Sequence, residues 1–258
     1  MLITIITVNY NDKLGLERTI KSVQNQKYSD FEFIVIDGNS NDGSKEIIEA
    51  NQSSFNYYVS EPDHGIYHAM NKGIEKAQGE YILFLNSGDH FESERALEKI
   101  QHTLCGEDIV YFNIHVVGQE NNYIKKCPKV LSFRYLYDNL PAHQATFFKK
   151  TLFDTYGYYD ESLKISADWK FLILAICKHN VSYKYVDDTF SVYYADGLSS
   201  KPENKKIMEA ERTTVLENEF PVFAADIKNN YVVERKLRDL RKSKILKMLV
   251  WLGLIHKF

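Results

Sequence analysis

Apolar and polar residues run along the chain in blocks whose length and period name the elements. Residues 2–8, LITIITV, form a continuous β-branched stretch, the pattern of a strand buried on both faces. NYND interrupts it, and Leu16, Ile20 and Val23 then recur at helical spacing between Lys13 and Gln26. FEFIVID (31–37) reads as a second strand, 44–50 as a short helix, YYVSE (57–61) as a third strand. Ile66, Ala69, Met70, Gly73, Ile74 and Ala77 mark an amphipathic helix. YILFL (81–85) is a fourth strand, Ala96, Leu97, Ile100 and Leu104 share one helical face, and DIVYFNIHVV (108–117) is a fifth strand.

Strand and helix thus alternate through the first half, which predicts a mostly parallel central sheet with helices on both faces. Polar clusters follow the first four strands: NYND, DGNSNDGS, EPDHG and NSGD. In a parallel sheet all four lie on one edge, where open α/β sheets bind ligands. The second half is less regular. A strand is expected at ATFF (145–148), a helix from about Asp168, one or two strands before the polar turn DGLSS (196–200), and a charged helix over 203–219. Residues 235–247 hold seven Lys or Arg and one acid, interleaved with Leu and Ile. Domains are therefore expected over 1–220, divided at 117/118, and over 221–258, a basic amphipathic helical extension.

Composition narrows the class. A hydrophobic fraction of 44% in 258 residues supports a full core, and a formal charge of −3 argues against a nucleic-acid binder. The 18 Tyr and 15 Phe suit sugar- or base-binding concavities as well as core packing. Cys105, Cys127 and Cys177 have no CxxC spacing, so neither a disulfide framework nor a zinc site is indicated, and a reducing, cytoplasmic setting follows. The opening MLITIITVNYN lacks a basic leader and reads as a strand rather than a signal peptide. No uncharged apolar run approaches the length of a spanning helix.

Neither GxGxxG nor a P-loop occurs, which weakens dehydrogenase or methyltransferase readings. TIITVNYN, FEFIVIDGNSNDGS, SEPDHGIYHAMNKGIEKAQGEYILFLNSGD, PAHQATFFKK and ISADWKFLI, in this order, resemble a family 2 glycosyltransferase of the GT-A fold, nearest to enzymes that build bacterial capsule, colanic-acid-type and lipopolysaccharide sugars. The resemblance covers roughly residues 1–200. It implies an inverting, metal-dependent transfer from a nucleotide-sugar, with UDP the expected nucleotide, to a glycan or lipid-linked acceptor. A non-catalytic nucleotide- or glycan-binding protein of the same fold is the alternative.

The resemblance also assigns roles. Asp37 accepts from the nucleotide base, as an acceptor-only group can, and Thr7, Asn9 and Asp63 lie by the nucleoside. Asp63 reads equally as a helix cap. Asn71 and Lys72 are placed near the diphosphate, or on a solvated helix face. NSGD stands where the family has its DXD motif. Asn86 can bond a ribose but brings no charge, and Asp89 is the expected ligand of Mn2+ or Mg2+, hard cations that favour oxygen. Asp168 matches the catalytic base, against the plainer role of helix capping. His143, Gln144 and Trp169 are assigned to sugar or acceptor, or else to the core. His68 departs from the family's GIYDAMNKG, so no role is carried to it. From composition alone, 235–258 fits a helix lying on an anionic membrane surface, a peripheral location on the inner face, or equally a terminal helix packed on the domain or against a second subunit.

Overall fold

The computed structural model describes residues 2–118, 121–195 and 202–254. The chain divides into two compact units, residues 1–211 and 212–258. The first half follows the alternation of the sequence: β1 (Ile3–Asn9), α1 (Lys13–Gln24), β2 (Phe31–Asp37), α2 (Ser44–Ala50), β3 (Tyr57–Ser60), α3 (Ile66–Lys76) and β4 (Tyr81–Phe84). Then come the two-residue β5 (His90–Phe91), α4 (Ala96–Ile100), β6 (Ile109–Val117), β7 (Asn122–Lys125), α5 (Phe133–Asp138), β8 (Thr146–Lys149), α6 (Lys150–Tyr156), α7 (Ala167–Cys177) and β9 (Tyr183–Tyr194). The helix α8 (Lys205–Glu219) crosses from the first unit into the second, which continues as α9 (Pro221–Lys242) and α10 (Lys244–Trp251).

Among the described residues the strands form one sheet in the order β3-β2-β1-β4-β8-β6-β9-β5, with β7 beside β6. The four strands β3, β2, β1 and β4 are mutually parallel. β8 then runs antiparallel between β4 and β6, so the sheet is mixed beyond its parallel half. Among the described residues the region after β8 holds one long strand, β9, parallel to β6 with a register shift near Asn113. The loop DGLSS lies outside the described residues.

Alternation along β1 sends successive side chains to opposite faces. Ile3 and Ile5 join Leu16, Ile20 and Val23 of α1, Ile48 of α2 and Leu97 and Ile100 of α4 in one core. Ile6 points the other way, against Gly73 of α3, where a Cβ would come within 2.5 Å of the Ile6 Cγ2. Helices therefore cover both faces.

Candidate active site

The strand ends meet in register: Asn9 is paired with Asp37, and Asp37 with Ser60. Asp37 is wholly buried. Its Oδ1 accepts from Asn9 Nδ2 (2.7 Å) and Ser40 Oγ (2.6 Å), its Oδ2 from Ser60 Oγ (2.5 Å) and Ser40 N (3.0 Å). Burial alone would raise its pKa, but the bonds from Ser40, Ser60 and Asn9 outweigh it and hold the carboxyl below the ordinary value. Those four donors fill about the four lone-pair directions a carboxylate has. Asp37 thus ties the strand ends together, and a base N–H could reach it only by displacing one of the hydroxyls.

Other residues of the row fall into two groups. Thr7 is fully buried and donates to the Leu85 carbonyl (2.6 Å), so it fastens β1 to the start of the NSGD turn and presents nothing to a nucleotide. Asn71 is also spent inside: its Nδ2 donates to Tyr159 O (2.9 Å) and Glu161 Oε1 (2.8 Å), and its Oδ1 accepts from Tyr159 N (3.0 Å). It lies one turn beyond Tyr67 on α3, against the 159–161 segment. Lys72 pairs with Glu61 (2.7 Å) and donates to Pro62 O (3.2 Å), staying at the rim beside Asp63. Asp63 accepts from Gly65 N (2.9 Å) at the entry to α3. Its carboxylate also lies over Gly38, where a Cβ would meet Asp63 Oδ2 at 2.5 Å and Tyr10 Cδ2 at 3.1 Å. Tyr10, 69% exposed, thus joins Asp63 above a bare stretch of backbone. Nothing in the apolar pattern singles Tyr10 out; only its place in the first polar cluster could have.

The NSGD turn is pinned from α1. Thr19 Oγ1 donates to one of three nearby carbonyls, Asp89 O (2.7 Å), Asn86 O (3.1 Å) or Gly15 O (3.1 Å), and accepts from Gly88 N (3.1 Å). Arg18 reaches Gly88 O (3.3 Å) and lies over the Tyr194 ring. Ser87 donates to Asn9 Oδ1 (2.7 Å), joining the turn to Asp37. Asp89 is buried at the end of this turn, its N–H on Asn86 O (3.0 Å). The signal for Thr19 was in the sequence, as a polar residue on the buried stripe Leu16–Thr19–Ile20–Val23.

From Asn86 the site crosses to the second half of the sheet. Asn86 Nδ2 is 3.1 Å from His143 Nε2, and His143 Nδ1 is 3.4 Å from Asp168 Oδ2. The Asn86 Oδ1 is buried without a partner. Asp168 Oδ1 accepts from Trp169 N (2.8 Å), and the Tyr67 hydroxyl lies 2.9 Å from it and 2.5 Å from Ile165 O. Burial opposes the charge on Asp168, yet His143, the Trp169 N–H and Tyr67 together keep its carboxyl below the ordinary value. The Tyr67 phenol is pushed the other way, first by burial and then by Asp168, and stays protonated. Asp168 is not the cap of α7; that place belongs to Ser166, whose side chain makes no cap bond.

The residues assigned to sugar or acceptor, or else to the core, are placed as follows. Trp169 is fully buried and donates from Nε1 to Leu136 O (2.5 Å), which makes it core and unable to stack on a sugar. Gln144 is buried, and its backbone carbonyl accepts from Ser191 Oγ (2.7 Å). His143 has both ring nitrogens turned toward protein, between Asn86 and Asp168.

Residues 4–159 match the description of Glycosyl transferase family 2. An uncharacterized glycosyltransferase of Mycobacterium tuberculosis is 35% identical over 181 residues, 67% of this chain and 68% of the relative. A PGL/p-HBAD biosynthesis glycosyltransferase of Mycobacterium bovis is 27% identical over 216 residues, 81% and 83% of the two chains. The fold resembles S. aureus TarS 1–349 in complex with UDP, with a TM-score of 0.64 and 21% identity over 84% of this chain; the chain spans 66% of that fragment. It also resembles the mannosyltransferase PcManGT of Pyrobaculum calidifontis, in complex with GDP-Man and Mn2+, with a TM-score of 0.57 and 15% identity over 95% of this chain and 84% of the other. The chain belongs to glycosyl transferase family 2. It is a glycosyltransferase of GT-A fold, and the strand-end row with Asp168 is its candidate active site.

Proposed function

We propose that the chain transfers a sugar, with inversion, from a nucleotide-sugar to a hydroxyl of a glycan or lipid-linked acceptor in bacterial surface-glycan synthesis. One observation carries this reading: His143 links Asn86, on the turn after β4, to Asp168 at the start of α7, so a candidate donor turn and a candidate base lie one side chain apart. Residues 1–117 hold the donor and 118–220 the acceptor. Tyr10 stacks on the base and Asp63 accepts from it above Gly38, while Asn9 and Asp37 keep the strand ends in shape. UDP is the expected nucleotide, in line with the UDP and UDP-GlcNAc complexes of TarS.

Asp168 removes the proton from the acceptor hydroxyl as its oxygen bonds to the anomeric carbon, and the diphosphate leaves with the electron pair of the broken bond. A carboxylate held ionised is a weak base toward a free alcohol. It suffices because the hydroxyl becomes acidic as the new bond forms. Asp89 fits a divalent ion by chemistry, an oxygen donor in a buried turn. Among the described residues no three His, Cys, Asp or Glu side chains come together as a metal cage. Asp89 therefore suits an ion that brings nucleotide oxygens with it. When bound, such an ion offsets the charge that builds on the leaving diphosphate.

The second unit supports a peripheral membrane position on the cytoplasmic face. Ile245, Met248, Trp251, Leu252 and Leu254 are exposed in and just after α10. No helix among the described residues is long and apolar enough to cross a membrane.

Purified protein, a panel of nucleotide-sugars and a lipid-linked acceptor test the main reading through nucleotide release. Asp168→Asn should lower turnover by about 10²–10⁴, the usual range for a general base, with donor binding kept. Wild-type turnover in that variant would reduce Asp168 to a structural role. Nucleotide binding without transfer to any acceptor would favour a binding protein of the same fold.

A further inference from the structure

Helix α7 begins without the usual side-chain cap. Ser166, at the cap position, makes no such bond, and its Oγ is buried without a partner. The backbone just before the helix is held from outside instead. The carboxylate of Glu211, on α8, accepts from three consecutive N–H groups: Lys164 (2.6 Å), Ile165 (3.2 Å) and Ser166 (3.0 Å). Three converging amides make a small anion nest, and charge-assisted bonds of this kind are about twice as strong as neutral ones. Ile165 is gripped on its other side as well. Its carbonyl receives the Tyr67 hydroxyl, the same hydroxyl that reaches Asp168 Oδ1.

We infer that Glu211 is a positioning residue for the transfer reaction, fixing the 164–166 segment so that Ile165 and Asp168 share the Tyr67 hydroxyl and the carboxylate of Asp168 keeps its bearing on the acceptor. This rests on the reading of Asp168 as the base. Glu211 touches no reacting atom. Its effect passes through the backbone to Ile165, through Tyr67 to Asp168, and it should appear in turnover rather than in donor affinity. The titratable groups facing Asp168 are His143, Tyr67 and Tyr159. Without Glu211 the segment is free to draw away from Tyr67. The Ile165 carbonyl then no longer competes for the single Tyr67 hydrogen, which passes to Asp168 Oδ1 and makes it a weaker base, with a lower pKa.

The test compares wild type with Glu211→Ala and Glu211→Gln, the second keeping the chain length and one acceptor oxygen should the alanine variant fail to fold. The alanine variant should lose about tenfold or more in kcat, with the donor KM nearly unchanged, and the acid limb of its pH–rate profile should move to lower pH. The glutamine variant should lie between. Acetate, small enough to enter the vacated nest, should restore part of the kcat of the alanine variant. Unchanged kcat, or a fall in stability with the acid limb in place, would overturn the proposal. Failure of the underlying reading is seen separately, as wild-type turnover in Asp168→Asn.

Discussion

Asp37 and Asp168 are both carboxylates kept ionised by donors, but only one has capacity left. Asp37 has four bonds to its own neighbours, so its replacement by the isosteric asparagine turns an amide NH2 toward donors. Asp37→Asn is expected to lower the free energy of unfolding by about 1–3 kcal/mol, the cost of leaving buried polar groups unpaired, measurable by urea titration at pH 7. The sign with pH follows from its lowered pKa. The stabilisation is fully present above the ordinary carboxylate value of about 3.9 and is lost as pH falls through the lower folded value, so the variant and the wild type should converge in strong acid. Asp89 is tested differently. Transfer should stop in excess EDTA and return with Mn2+ or Mg2+, and Asp89→Ala should abolish it; full activity in EDTA would remove the ion from the reaction.

Helix α3 shows how packing decides between opposing preferences. Alanine is the better helix former by about 1 kcal/mol. At Gly73, however, its methyl would sit 2.5 Å from the Ile6 Cγ2, on a β-branched side chain of the central β1 with little room to turn. Overpacking costs about 1–3 kcal/mol, so Gly73→Ala should be destabilising despite its propensity, with a lower melting temperature as the check. Element by element, the parallel half was legible because each strand is a continuous apolar run and each helix keeps its period. The antiparallel insertion of β8 between β4 and β6 was not, since pairing between strands distant in sequence leaves no local pattern. The two-residue β5 and the exposed β7 are too short to show a period. For the site, residue type located the strand-end row but not the direction of each side chain. Asn71 and Trp169 belong to the right motifs and face the interior, and Glu211 carried no motif at all.

Charge is divided unevenly over the whole molecule. Residues 212–258 hold ten Lys or Arg and five Asp or Glu, a net of +5, which leaves −8 on residues 1–211. The basic composition of residues 212–258 fits attraction of that segment to an anionic lipid surface, each basic residue near it contributing about 1 kcal/mol. Flotation with anionic and neutral vesicles should carry the full chain with the anionic ones alone and release it in high salt, since the attraction is screened. A chain ending at Phe220, which keeps α8 whole, should stay in the soluble fraction. Equal flotation of both chains would place the binding elsewhere.

The bonds from Thr19 to the NSGD turn run to backbone atoms: the carbonyls of Asn86 and Asp89 and the N–H of Gly88. To this contact position 86 contributes only its peptide carbonyl, a group that every sequence possesses. Over evolutionary time, position 86 can exchange an amide for a carboxylate without rebuilding the loop. Divergence in donor or ion preference then needs a change of side chain on an inherited frame, whereas loss of the Thr19 hydroxyl would disturb every variant alike.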